Sequence, residues 1–198
     1  MKTILVLGSD RIAQKAYELS SLSDNDVYVV RDASTNSKRI RRVVVKRRMK
    51  LSLLIKMAFC ELRRKKKNEA SSDALVRKNG DLLRIIEQFN PERVVLFRAG
   101  LIINSKVLAA GVPILNIHCA SIPGYGGLGA IAKALDERAL HQSATLHRVT
   151  SSIDSGDILA TEPYVLDPSL SYCANEDEAY RAGLCLLEKV LTNASSLQ

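Results

Sequence analysis

The chain has 198 residues, enough for one domain with a substantial core, or for a domain with a small appendage. Hydrophobic residues make up 46% and charged residues 25%, an ordinary globular balance that argues against a disordered chain. The net charge of +8 is uneven: between Asn36 and Ala70 fourteen Lys and Arg stand against two Glu, a net of +12, so the rest of the chain carries −4. The basic balance therefore describes an insert more than the body. The four cysteines, Cys60, Cys119, Cys173 and Cys185, lie far apart and form no CxxC pair. They suggest neither a zinc site nor a disulfide framework, and four free thiols in a cytoplasmic protein are expected.

The apolar start ends at Gly8 after five residues, too short for a signal h-region or a membrane span. Thr3 to Leu7 reads as a buried strand. Asp10 caps a helix through about Ser20, and Asp26 to Val30 reads as a second strand. Strand, helix and strand in some thirty residues make a βαβ unit and predict a parallel sheet. Only Gly8 occupies the first turn, so the dinucleotide fingerprint G-x-G-x-x-G is absent. Ser9 and the amides after it could hold an anion at the helix N-terminus.

Ser34 to Lys67 is the basic insert. Leu51, Leu54, Ile55, Ala58, Phe59 and Leu62 fall at helical spacing, and the run Arg63 to Lys67 suits a helix C-terminus. A core-covering helix with a solvated basic end is the plain expectation. Attraction to an anionic substrate or to an anionic membrane surface is the alternative. Nucleic acid is not expected, because aromatics that stack on bases are scarce there.

Ser72 or Asp73 caps a predicted helix to about Phe89, with Gly80 in its middle and Asn90-Pro91 stopping it. Arg93 to Phe97 is the next strand, and Arg98 to Leu101 a loop at its C-terminal end, where α/β sheets bind ligands. Asn104 caps a short helix to Ala110, closed by Gly111. Ile114 to His118 is a strand, followed by a Gly-rich loop and a helix over about 128–138. Ser143 to Val149 is a strand, Thr150 to Asp157 a polar loop, and Ile158 to Leu166 a strand placed at an edge by Pro163. Asn175 caps a closing helix over 176–192, and the tail 193–198 is expected to fray.

The candidate chemistry sits on the strand at 114–118. Side chains alternate along a strand, so Asn116 and His118 share one face. Asp154, in the loop Ile153-Asp154-Ser155-Gly156-Asp157, is the third polar landmark. Each has a plainer role: Asn116 could tie down a loop, His118 could be structural, and Asp154 could serve only an Asx-turn. His147 lies mid-strand and reads as structural or supporting. Cys119 faces away from His118, which argues against a thiol nucleophile. Asp157 reads as fixing the loop, and Ser121 and Tyr125 as orienting theirs.

These residues carry a family resemblance. Asn116-x-His118, then Ile122-Pro123-Gly124-Tyr125-Gly126-Gly127, then Ala144-Thr145-Leu146-His147-Arg148-Val149 and Asp154-Ser155-Gly156-Asp157-Ile158-Leu159 resemble the formyltransferase superfamily. The ordered match runs from about Val94 to Val165, and before it only the βαβ start agrees. The resemblance implies an α/β domain with a Rossmann-like, mostly parallel twisted sheet, helices on both faces and an antiparallel edge region. One domain over 1–198 is expected, with the helical insert at about 34–70. It further implies 10-formyltetrahydrofolate as co-substrate, no metal, and Asn116, His118 and Asp154 as catalytic residues. Asn116 and His118 would donate to the oxyanion on the formyl oxygen. Asp154, its pKa raised by desolvation, would pass protons. Arg98, Ala99, Gly100 and Leu101, with Thr150 and Ile153, would hold the pterin, mostly through backbone groups. Ser9, Arg11, Tyr125 and Gly126 would face the acceptor.

The relatives differ at the acceptor. Glycinamide ribonucleotide formyltransferases carry a G-S-G-S-N type loop where this chain has Gly8-Ser9-Asp10-Arg11. Methionyl-tRNA formyltransferases add a C-terminal barrel domain, whereas this chain ends with the closing helix, so tRNA is not expected as acceptor. Nucleotide-linked amino sugars are therefore the expected acceptor, which would make it a small anionic amine. The rivals are a hydrolase delivering the formyl group to water, a glycinamide ribonucleotide-like activity, and a non-enzymatic folate-binding protein with a basic helix that docks on a membrane or partner.

Overall fold

The computed structural model describes residues 1–23, 26–34, 51–64 and 72–192. The basic stretches at 35–50 and 65–71, and the tail expected to fray, lie outside them. The described strands are β1 (Thr3–Leu7), β2 (Val27–Asp32), β3 (Ala74–Val76), β4 (Arg93–Phe97), β5 (Ile114–His118), β6 (His141–Arg148) and β7 (Ile158–Val165). The helices are α1 (Arg11–Ser21), α2 (Leu51–Arg64), α3 (Asn79–Phe89), α4 (Ser105–Leu108), α5 (Ala130–Asp136) and α6 (Tyr172–Thr192).

The strands form one sheet in the order β3-β2-β1-β4-β5-β6-β7. Pairing is parallel from β3 through β5 and antiparallel from β5 to β7. This is the expected mostly parallel sheet with an antiparallel edge. β1 is buried along its whole length because helices cover both faces. Leu5 and Leu7 pack with α1 and α6, and Ile4 and Val6 pack with α3 and α4. Pro163 does lie on the edge strand β7, where a missing N–H costs no ladder bond to a further strand.

Three local expectations need correction. The region after Asp73 is not yet helix: Ala74–Val76 adds β3 in parallel to β2, and the Asp73 carboxylate accepts from Val29 N–H at 2.7 Å. The helix begins at Asn79, where Asp81 accepts from the N–H groups of Arg77 and Lys78, so Gly80 falls in its first turn. Asn175 does not cap α6. Ser171 Oγ accepts from Ala174 N–H, and Asn175 instead ties the preceding turn through Asp167 and Ser171.

The third correction concerns α2. Cys60 and Cys173 form a disulfide, 113 residues apart in sequence. The expected four free thiols are therefore two, Cys119 and Cys185. Linear spacing carries no signal for such a bond; only the seating of α2 on α6 brings the sulfurs together. Nor is the end of α2 wholly solvated. Arg63 is exposed, but Arg64 is buried and pairs with Glu176 at 2.9 Å and Asp177 at 2.7 Å. A buried guanidinium requires such partners.

Candidate active site

The C-terminal ends of β4 and β5 open beside the 150–157 loop, and a cavity of about 300 Å³ lies there. A parallel sheet directs its strand ends and loops to one edge, which explains the location. Asn116 and His118 reach the cavity from β5, and Asp154 from the loop. Asn116 Nδ2 lies 3.5 Å from Asp154 Oδ1. His118 Nδ1 lies 3.5 Å from Asp154 Oδ2, and its Nε2 donates to the Tyr125 carbonyl at 2.8 Å. Gly127 N–H donates to Asp154 Oδ2 at 2.7 Å, tying the Gly-rich loop to the carboxylate.

His147 completes this cluster. Its Nδ1 donates to the Arg148 carbonyl at 2.9 Å, and its Nε2 lies 3.1 Å from Asn116 Nδ2 and 3.5 Å from Asp154 Oδ1. A register shift at Leu146/His147 against β7 accompanies that placement. Asp154 itself has φ 48°, in the left-handed region that Asp tolerates better than most residues. Gly156 holds the same loop close to β6: a Cβ there would lie 1.9 Å from the Arg148 carbonyl oxygen. No other residue fits that approach.

Burial works to raise the Asp154 pKa, as expected from the sequence. It is outweighed by the His147 hydrogen bond, by the charge of His118 and by the Gly127 N–H, which together bring the carboxyl down to about 2. The expected upward shift is thus reversed, and Asp154 stands as a carboxylate. Burial pushes the Cys119 thiol up to about 12, so it is no nucleophile.

Of the expected pterin residues, Arg98, Ala99, Leu101, Thr150 and Ile153 line the cavity, while Gly100 does not. The N–H groups of Gly100 and Leu101 already donate to Asp32 Oδ2 at 2.5 and 2.7 Å. Those two N–H groups are therefore used within the protein, and Asp32 at the end of β2 shapes this loop. Ile102, Leu128 and Ile153 give the cavity an exposed apolar rim. Arg98 has φ 58°, and its carbonyl lies where a Cβ on Gly8 would be 2.6 Å away. Close backbone approach, rather than anion binding, accounts for Gly8.

The expected acceptor residues do not line the cavity. Ser9 and Arg11 are exposed elsewhere. Asp10, between them, caps α1 through Ala13 N–H and pairs with Arg98. Tyr125 sends its hydroxyl to Glu137 at 3.0 Å and contributes only its carbonyl to His118. Gly126 lies against Asp154, 3.1 Å from its Cβ if substituted, but outside the lining. The wall opposite the rim comes instead from α2 (Met57, Glu61) and α6 (Tyr172, Glu176, Tyr180). Sequence reading missed these residues. The only signal was the helical spacing of 51–62, which says nothing about where the helix docks.

A doubly covered α/β sheet with a polar Asn-His-Asp cluster at its strand ends defines a class of group-transfer sites built without a nucleophilic side chain. The chain belongs to the formyl transferase family, whose model matches residues 3–177, well beyond the stretch from Val94 to Val165. A methionyl-tRNA formyltransferase from Rickettsia rickettsii is 25% identical over 121 residues, covering 61% of this chain and 40% of that protein. The chain thus spans about 40% of the length of the curated relatives it matches first. Among solved structures, glycinamide ribonucleotide transformylase 1 from Geobacillus kaustophilus superposes with a TM-score of 0.66 at 20% identity, each chain covered over 100%. A sugar N-formyltransferase from a Shewanella species gives 0.62 at 17% identity, covering 96% of this chain and 68% of that one. At these identities the superpositions speak to fold alone.

Proposed function

We propose that this chain transfers the formyl group of 10-formyltetrahydrofolate to a primary amine on a small molecule. The observation that carries the reading is the Asn116-His118-Asp154 cluster at the cavity floor, in a chain of the formyl transferase family. The apolar rim of Ile102, Leu128 and Ile153 suits the flat ring faces of a folate's pterin and p-aminobenzoyl groups.

The amine nitrogen attacks the formyl carbon, and the carbonyl electron pair moves onto the formyl oxygen. Asn116 Nδ2 and a His118 ring N–H donate to that oxyanion, taking it in place of their resting partners. The attacking nitrogen becomes cationic, and the Asp154 carboxylate stabilises it at close range. Its proton leaves, directly or through water, by way of Asp154. The carbon–N10 bond then breaks, and N10 takes a proton as tetrahydrofolate leaves. His147 positions Asn116 and Asp154 without touching the substrate.

The acceptor in this reading is an amino sugar, the substrate class of one structural neighbour, a sugar N-formyltransferase. Ser9 and Arg11 lie outside the cavity, so a nucleotide carrier would have to extend beyond it to reach them. Incubation with 10-formyltetrahydrofolate and a panel of amino sugars tests the reading. Amine-dependent release of tetrahydrofolate supports transfer, whereas release independent of amine supports hydrolysis instead.

A further inference from the structure

The cavity is also lined by residues of α2 and α6. Among the described residues its lining carries Glu61, Glu176 and Asp154 against the Arg98 guanidinium and the imidazoles of His118 and His147. Arg98 is already engaged at Nε, Nη1 and Nη2. Its guanidinium donates to Asp10 at 2.5 Å, to Glu61 at 2.7 Å and to the Tyr180 hydroxyl at 2.7 Å, and it stacks 4.3 Å from the Tyr180 ring centre. Among the described residues, the guanidinium of Arg64 is held by Glu176 and Asp177. A phosphate entering here would compete with Asp10 and Glu61 for Arg98 and would meet the Glu176 and Asp154 carboxylates in the same lining.

We infer that α2 and α6 enclose an acceptor compartment that admits a small cationic or neutral amine and excludes a phosphate near the reacting nitrogen, with Glu61 as a specificity-determining residue. This inference rests on the transfer reading for its meaning, but not for its test. A free amino sugar arrives as an ammonium, which is attracted because Asp10, Glu61, Asp154, Glu176 and Asp177 outnumber the guanidiniums of Arg98 and Arg64 there. A sugar phosphate meets the repulsion of those carboxylates. The basic insert, for which attraction to an anionic substrate was the alternative expectation, thus presents Glu61 to the cavity. Glu61 is the one acidic residue of α2. The disulfide at Cys60 and the Arg64 pairs hold that residue in place on either side.

Calorimetric binding to the full chain saturated with tetrahydrofolate reads this without any turnover. Glucosamine and glucosamine 6-phosphate share one skeleton and differ in charge. The inference expects glucosamine to bind about tenfold more tightly at low ionic strength, with the preference shrinking as salt is added. Glu61→Gln keeps an oxygen for Arg98 and removes one charge, so it should bring the pair within about threefold of each other. Retention of the Cys60–Cys173 bond and of folate affinity certifies that variant as folded. Equal or tighter binding of the phosphate to wild type, no binding of either sugar, or an unchanged preference in the folded variant would each overturn the inference. Loss of the transfer reading would show separately, as absent amine-dependent release of tetrahydrofolate while the binding order stands.

Discussion

The two walls of the cavity are built in different ways. One is carried by β5, β6 and the 150–157 loop, where each side chain is placed by its own strand and its immediate neighbours in the sheet. The other is carried by α2 and α6, whose apposition depends on contacts 109 to 113 residues apart in sequence. The first wall resists single changes in geometry but concentrates the chemistry. The second is held by one disulfide and one buried charge cluster, and its chemistry is selective rather than reactive.

Changes on the first wall should act on rate. Asp154→Asn keeps the shape and removes the charge, and is expected to lower kcat by about 10²–10⁴-fold with folate affinity retained. Steady-state kinetics beside folate titration checks this; a wild-type rate would remove Asp154 from the proton path. Asn116→Ala removes one oxyanion donor and should cost about 10²–10³-fold in kcat. An effect confined to KM would make Asn116 a binding group only.

Changes on the second wall should act on stability and on acceptor KM. Arg64→Ala leaves Glu176 buried without its ion pair and should destabilise the fold by about 3–5 kcal/mol in denaturant unfolding. Cys60→Ser, or reduction of the disulfide, should cost about 2–4 kcal/mol. It should also raise the acceptor KM, because Glu61 loses its anchor, while kcat at saturation holds. A fall in kcat equal to that of Asn116→Ala would dissolve the distinction between the walls.

The smallest expected effect is on acid stability. Folding lowers the Asp154 pKa to about 2, from about 3.9 in an unfolded chain. Its stabilisation is therefore complete above the unfolded value and lost as pH falls from about 4 to about 2. The shift corresponds to about 2 kcal/mol. The gap in unfolding free energy between wild type and Asp154→Asn should close over that window, and a gap independent of pH would contradict the ionised carboxylate.

The contrast between the walls also explains what could be read from sequence. Asn116 and His118 were visible because alternation along a strand is local and strict. Asp154 was visible because polar loops at strand ends are where such folds bind ligands. The sign of its pKa shift was not, because it turns on the position of His147, reached through a register shift between β6 and β7. β3 was hidden because three residues give no period to read, and Asp73 looks like a helix cap while serving Val29. The partners of Cys60 and Arg64 follow from how α2 docks, and no spacing within the chain encodes that.

The most direct measurement is the joint yield of tetrahydrofolate and formylated amine from 10-formyltetrahydrofolate and an amino sugar. The account predicts that both appear together, one for one, at a rate that rises with amine. Tetrahydrofolate released without amine, or none released by folded protein that binds folate, would contradict it.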